Sequence, residues 1–280
     1  THLLHSPERN PAIYGPGATA SNLNSRRPFA GIGPLQVGES TGWSKYHALQ
    51  LTLQKRWGKG LTVLANYTFS KSIDISSYAT IEGNSAGPDP FNFNNNRGVS
   101  DFDMPQRLVV SGIWEHPRLT NYNPILRTVL GGWQSNVIWT AQAGTPITIL
   151  SGVDNALMGI GANFADLTGV DWRPPSDRSR GQEVQEWFNK AAFRVNAVGT
   201  IGTGRRNQLR SPGAWNADYS LFKNFSIVEA LRLQFRAEFF NVFNHTRLGA
   251  PNTTFTSPSF ARITSAYDPR IVQLGLKLIF

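Results

Sequence analysis

Few groupings in this sequence could do chemistry. Gly83-Asn84-Ser85-Ala86-Gly87 fits the G-x-S-x-G pattern, in which a sharp strand-to-helix turn presents a nucleophilic serine. Here Pro88-Asp89-Pro90 and a run of asparagines follow in place of a helix, and no histidine is paired with Ser85. The match is read as coincidence in a loop rich in Gly and Ser. Asp101 and Asp103, with Asp89 nearby, are oxygen donors of the kind Ca²⁺ takes, but the EF-hand spacing is missing. The expected reading is a turn before a strand. The aspartates then cap backbone N–H groups and pair with Arg97 or Arg107. The five histidines are scattered, with His2 and His5 close together at one end, and no H-E-x-x-H occurs. Gly202-Thr203-Gly204-Arg205-Arg206 looks like an anion-binding loop only in its glycines, because the Lys-Ser/Thr of a P-loop is missing. The triplets at Asn66, Asn244 and Asn252 fit the glycosylation pattern and are read as coincidence. With no cysteine, disulfides, thiolate metal sites and cysteine nucleophiles are excluded. The expectation is therefore no enzyme, no cofactor and no metal.

Composition points elsewhere. Aromatic residues make up 11% of the 280 positions, with eight Trp, while charged residues make up only 16%. Soluble domains carry about 25% charged residues. The net charge of +9 raises nucleic acid as a partner. The basic residues are scattered, though, with no run longer than Arg26-Arg27, Lys55-Arg56 or Arg205-Arg206. A solvated lumen or anionic lipid headgroups account for them as well, and no nucleic acid is expected. No window is apolar over the roughly 20 residues that a transmembrane helix needs, whereas a transmembrane strand needs only about 9–11.

The elements come into view through a period of two. In the last ten residues Val272, Leu274, Leu276, Leu278 and Phe280 share one face, and Gln273, Gly275 and Lys277 share the other with Ile279. From Leu231 to Phe243, Leu231, Leu233, Phe235, Ala237 and Phe239 oppose Arg232, Gln234, Arg236 and Glu238. Four such side chains aimed into a dry core would be costly, but they are at ease against water. Leu49, Leu51 and Leu53 repeat the pattern, as does Leu61–Phe69 with Leu64 out of phase. Leu108–Trp114, Trp133–Trp139 and Asp218–Leu221 follow it too, and Arg262–Tyr267 is expected as a short strand before the last. Roughly eight strands result.

Their connections come in two sizes. Gly58-Lys59-Gly60 and the link at 228–230 are short, while 71–106 and 144–216 are long, polar and rich in Gly, Pro and Asn. Short turns on one side and long loops on the other suit a membrane barrel and count against a compact soluble domain. Within the second loop, 182–193 is expected as a short helix with Val184, Trp187, Phe188 and Ala191 on one face. Residues 1–45 are expected as an external loop or a frayed end, and 46–280 as barrel. Aromatics near the strand ends, such as Trp57, Trp114 and Trp133, suit a membrane–water girdle. The chain opens at Thr1 without a leader and is read as part of a longer protein.

Three stretches carry a family resemblance. The terminal IVQLGLKLIF resembles the assembly signal of outer-membrane β-barrels. RAEFFNVFNHTRLGAPNTTF (236–255) looks like the penultimate-strand motif of TonB-dependent receptors, in particular the Oar-like group. RGVSDFDMPQRLVVSGIW (97–114) and WNADYSLFKNF (215–225) are similar to that group too. The resemblance implies an antiparallel transmembrane β-barrel of about 22 strands, of which this chain would supply the last third. It implies the bacterial outer membrane as location. The implied partners are outer-membrane lipid, the barrel-assembly machinery, a plug domain of the same protein and, through the plug, the TonB complex. Arg232, Gln234, Arg236, Glu238 and Lys277 would face the lumen, and Val272, Leu274, Leu276, Leu278 and Phe280 the lipid and the assembly machinery. The transported ligand stays unnamed.

Two rival readings remain. A soluble β-sandwich, using its Trp residues to stack on glycans, would bury the apolar face between two sheets. A membrane-embedded hydrolase would need a Ser/His/Asp constellation, and none is visible around Ser85.

Overall fold

The computed structural model describes residues 2–5, 7–77, 89–161, 163–228 and 231–280. The Gly83–Gly87 motif and residues 229 and 230 lie outside them. The main sheet is built from β1 (His2–His5), β2 (Glu39–Trp57), β3 (Leu61–Asp74), β4 (Gln106–Glu115), β5 (Trp133–Gln142), β6 (Ala214–Val228), β7 (Leu231–Phe240) and β8 (Ile271–Ile279). Each pairs antiparallel with its neighbours in chain order, and a bridge-length strand, Gly98–Val99, pairs with the end of β3. This is an all-β meander. Two short helices, α1 (Pro124–Leu130) and α2 (Arg180–Gln185), lie in its connections.

Register turns the alternation of each strand into two continuous faces. Leu49, Leu51 and Leu53 pair with Phe69, Tyr67 and Ala65, and the last two pair with Leu108 and Val110. Val110 pairs with Trp139, Trp139 with Ala217, Leu221 with Ala237, and Ala237 with Leu274. Each pair brings apolar side chains together on one face, because a shift of one residue would reverse them. The out-of-phase Leu64 falls on the opposite face with Gln54 and Ser111.

Among the described residues, most of the apolar face has no protein packed over it. Leu53 is 68% exposed, Leu274 68% and Leu276 71%. The core lies in the loops instead. Ile147, Ile149, Phe188, Phe193, Leu209 and Phe260 form a buried cluster, with Trp172, Trp187 and Phe255 packed against it. Phe188 meets Phe193 and Phe260 edge-on, at centroid distances of 5.6 and 5.2 Å. This arrangement rules out the sandwich, which needs a second sheet over the apolar face.

The strands expected from sequence differ from those observed at three points. Arg262–Tyr267 is not a strand. It makes only isolated bridges, Pro251 with Ile263 and Leu248 with Ala266, and Ile263 is buried inside the loop layer. Residues 1–45, expected as an external loop or a frayed end, hold paired strand at two places: His2–His5 pairs with the start of β2, which begins at Glu39. The expected helix at 182–193 is α2 followed by a single 3₁₀ turn, Lys190–Ala192, with Trp187 and Phe188 between them pointing into the loop core. Ser179 caps α2 in a capping box with Gln182.

Two substitutions test this division. Leu276→Arg, on the exposed apolar face of β8, should cost about 2–4 kcal/mol in folding into lipid vesicles, whereas Gln273→Arg, on the other face opposite Glu238, should be near neutral. Phe188→Ala should cost about 3–5 kcal/mol. Limited proteolysis should show the loss in the loop layer, with the sheet still protected.

Candidate functional site

Antiparallel pairing puts all connections at two ends. The tight turn at Gly58–Gly60, the connection Glu115 to Trp133, the link after Val228 and the end of β8 share one end. The N-terminal segment and the connections after β3, β5 and β7 share the other. Gly60 at φ +78 makes the tight turn possible, since a Cβ there would sit 2.7 Å from the Glu115 carbonyl oxygen.

Toward the loop end the apolar face stops at a definite row. The pair Leu49–Phe69 is followed by His47–Lys71, on the same face. From Leu49 to Trp57 the strand covers about 27 Å, or roughly 20 Å once tilted as barrel strands are, close to the apolar band of about 25 Å in outer-membrane barrels. Trp57, Trp114 and Trp133 lie on this face at the short-turn end. The Trp114 ring stacks on His116 at 4.0 Å, and His116 Nε2 shares a hydrogen bond of 2.8 Å with Ser135 Oγ, which in turn contacts Tyr219 Oη at 2.9 Å.

The opposite face carries most of the polar side chains of the sheet, interspersed with Leu64, Val109, Ile113, Ile138, Phe222 and Ile279. It gathers Gln50, Thr52, Asn66, Thr68, Asn136, Asn216, Asp218 and Asn224 with the residues singled out in β7 and β8. Arg232 pairs with Ile279, Gln234 with Lys277, Arg236 with Gly275 and Glu238 with Gln273. Gln234 Nε2 donates to Asn224 Oδ1 at 3.0 Å, and the Arg236 guanidinium lies 4.7 Å from the Phe222 ring centre. Val272, Leu274, Leu276 and Leu278 occupy the apolar face, while Phe280 lies one residue past the strand and is 95% exposed.

The aspartates of the loop end do cap backbone groups, but their arginine partners are not those expected. Asp103 Oδ1 accepts from the Ser72 N–H at 2.6 Å, and Asp89 Oδ1 accepts from Phe91 and Asn92 N–H, each at 3.0 Å. The pairing with Arg97 or Arg107 is corrected to Arg206 and Arg210. Arg206 donates to Asp74 Oδ1 at 2.6 Å and to Asp101 Oδ1 at 3.2 Å, and Arg210 donates to Asp103. Asn207 also reaches Asp101 and the Val99 carbonyl. The partners are more than 100 residues apart in sequence. Asp74 is 1% exposed and the Arg206 side chain 9%. Asp74 and Asp101 thus share the Arg206 guanidinium while Asp103 takes Arg210, so protein donors engage all three carboxylates.

Gly202 and Gly204 serve packing. A Cβ at Gly202 would sit 1.8 Å from the Phe164 carbonyl oxygen, and one at Gly204 2.6 Å from that of Ala165. The Thr203 N–H donates to Asp166 Oδ1, and that of Gly204 to Ala165 O. These amides are engaged, so the anion-loop reading of 202–206 falls. The loop borders a cleft of about 760 Å³ shared with Tyr14, Asp89, Arg97, Phe164 and Arg205. Burial, and then the charge of Asp89, push the Tyr14 phenol above its ordinary pKa. At the edge of the layer Arg9 forms a two-point pair with Glu39 and holds that carboxyl below its usual range. His5, which contacts Thr41 Oγ1 at 2.7 Å, is lowered mainly by burial. Among the described residues no three His, Cys, Asp or Glu side chains converge as a metal site would require.

A meander with one lipid-compatible face, one wet face and its longest loops gathered at one end is the wall of a membrane-spanning β-barrel. The chain belongs to the outer membrane beta barrel domain family, whose model matches residues 1–273, and it is a protein of the bacterial outer membrane. No curated protein matches it significantly.

Arg206→Gln leaves Asp74 buried beside a neutral amide. It should destabilise the loop layer by about 3–5 kcal/mol. The expected signature is trypsin cleavage within 143–213 in protein whose outer-membrane assembly is unchanged. Resistance equal to the parent protein would deny the pair its structural role.

Proposed function

We propose that this chain forms part of the wall and outer loops of a TonB-dependent receptor of the Oar-like group, taking up a ligand across the outer membrane without covalent chemistry. The observation that carries the reading is the open sheet. Among the described residues β8 pairs only with β7, and β2 from Ser44 to Trp57 has β3 as its one partner. Unpaired edges are not tolerated in lipid, so further strands must close the barrel. A wall that does not close at eight strands belongs to a wide barrel, whose lumen its own side chains cannot fill. The polar face fits such a lumen, with Arg232, Gln234, Arg236, Glu238 and Lys277 meeting water or a plug domain. The apolar face, with Val272, Leu274, Leu276 and Leu278, meets lipid. The alternation of β8 ending in Phe280 is the element that the barrel-assembly machinery would read. The resemblance of 97–114, 215–225 and 236–255 to TonB-dependent receptors supports the energy source: the inner-membrane TonB complex pulling on the plug.

The full-length protein, expressed with its native leader, should fractionate with the outer membrane. Its gel band should shift on boiling, and it should retain the purified periplasmic domain of TonB. Outer-membrane location without TonB binding would keep the barrel and remove the transport reading. A soluble protein with no shift would remove both.

A further inference from the structure

The connection from Glu115 to Trp133 lies at the end where every other connection is short, yet it holds a helix. Asn123 caps α1 by accepting from the Leu126 N–H at 2.8 Å, and Pro124 occupies its first turn. At about 100° per residue, Ile125, Val129, Leu126 and Leu130 fall within an arc of about 140°, with Arg127 and Thr128 outside. None of these apolar side chains is packed: Ile125 is 74% exposed, Leu130 56% and Val129 55%. An amphipathic helix with a bare apolar face needs an occupant for that face.

Three contacts fix which side of the wall the helix lies on. The Trp133 indole N–H donates to the Val129 carbonyl at 2.9 Å, and Lys223 Nζ donates to the carbonyls of Val129, at 3.1 Å, and Gly131. Trp133 and Lys223 are a register pair on the apolar face, in line with Val137 and Leu221. The end of α1 is thus tethered over the lipid side, not over the lumen. Lys223 would otherwise place a charge on that surface. It is 4% exposed, its ammonium lying 5.0 Å from the Trp133 ring centre and roofed by the last carbonyls of the helix. The connection carries Arg118 and Arg127 and no acid from His116 to Gly132, so it suits anionic headgroups.

We infer that α1 is an interfacial anchor, lying in the headgroup region of the leaflet at the short-turn end. Ile125, Leu126, Val129 and Leu130 are among the upper acyl chains, and Arg118 and Arg127 face lipid phosphates. In the outer membrane the short-turn side is periplasmic, so the occupant is phospholipid. The inference rests on the reading of the apolar sheet face as the lipid face.

Single cysteines at Ile125→Cys, Thr128→Cys and Leu276→Cys, labelled with a polarity-sensitive dye, test it in the full-length protein. The protein is reconstituted into vesicles of phosphatidylethanolamine and phosphatidylglycerol that carry a nitroxide either near the headgroup or near the chain end. The dye at Ile125→Cys should lose most of its emission to the shallow nitroxide and little to aqueous iodide. The dye at Thr128→Cys should show the reverse, and that at Leu276→Cys should respond to the deeper nitroxide. Quenching at Leu276→Cys with the Ile125→Cys dye open to iodide would overturn the anchor and leave the wall intact. No nitroxide quenching at Leu276→Cys would overturn the wall and the anchor with it.

Discussion

The structure depends on one constraint: a wide apolar sheet face that the described chain leaves largely uncovered. In water, burying such a face is the main drive of folding, and a sheet finds a second layer to do it. Here the long connections pack against one another at one end and leave the face bare, with leucines on β2 and β8 half to three-quarters exposed. Only a solvent as apolar as the face resolves this, and the bilayer is that solvent. The unbroken strand-to-strand pairing follows from the same constraint, because in lipid each backbone N–H and C=O must be bonded within the sheet.

The loop end obeys the opposite rule. It folds as a small soluble domain would, with an aromatic core around Phe188, Phe193 and Phe260 and buried ion pairs tying one loop to another. Burying Asp74 with Arg206 gains little over an apolar pair of the same shape, since desolvation offsets most of the attraction. What the pairing supplies is register. Arg206, Asn207 and Arg210 dock the second long connection onto the segment that leads into β4, with Ser72 and Asp103 joining β3 to it. The outer layer is therefore fixed to the wall through the strand ends rather than floating above it.

The wall was legible in the sequence because its signal is local. Side-chain period two, read over Leu231–Phe239 or Val272–Leu278, is set within one strand and is the same whichever strand lies beside it. The polar set of Arg232, Gln234, Arg236, Glu238 and Lys277 came from that periodicity alone. What failed was non-local or brief. His2–His5 is too short to show a period, and its partner begins at Glu39. Arg262–Tyr267 alternates, but its alternation serves a loop core, and a few residues cannot tell the two apart. The partners of Asp101 and Asp103 lie more than 100 residues along the chain, where proximity in sequence favours Arg97 and Arg107 wrongly. The helix α1 did carry a start signal, Asn123-Pro124, and was missed because its seven residues sit among loop-like neighbours.

Lys223 shows how the two solvents meet in one residue. Its place in the alternation puts it on the lipid side, where a bare ammonium would be expensive. A long side chain escapes that cost by reaching toward the interface. Lys223 is instead buried. It reaches the carbonyl end of α1, where the helix dipole is negative and unpaired C=O groups need donors. The charge satisfies the helix end, the helix end shields the charge from lipid, and Trp133 holds the two together from the neighbouring strand. A connection at the short-turn end therefore needs its extra length for a physical reason: a shorter turn between β4 and β5 would leave an ammonium facing the bilayer with nothing to bind.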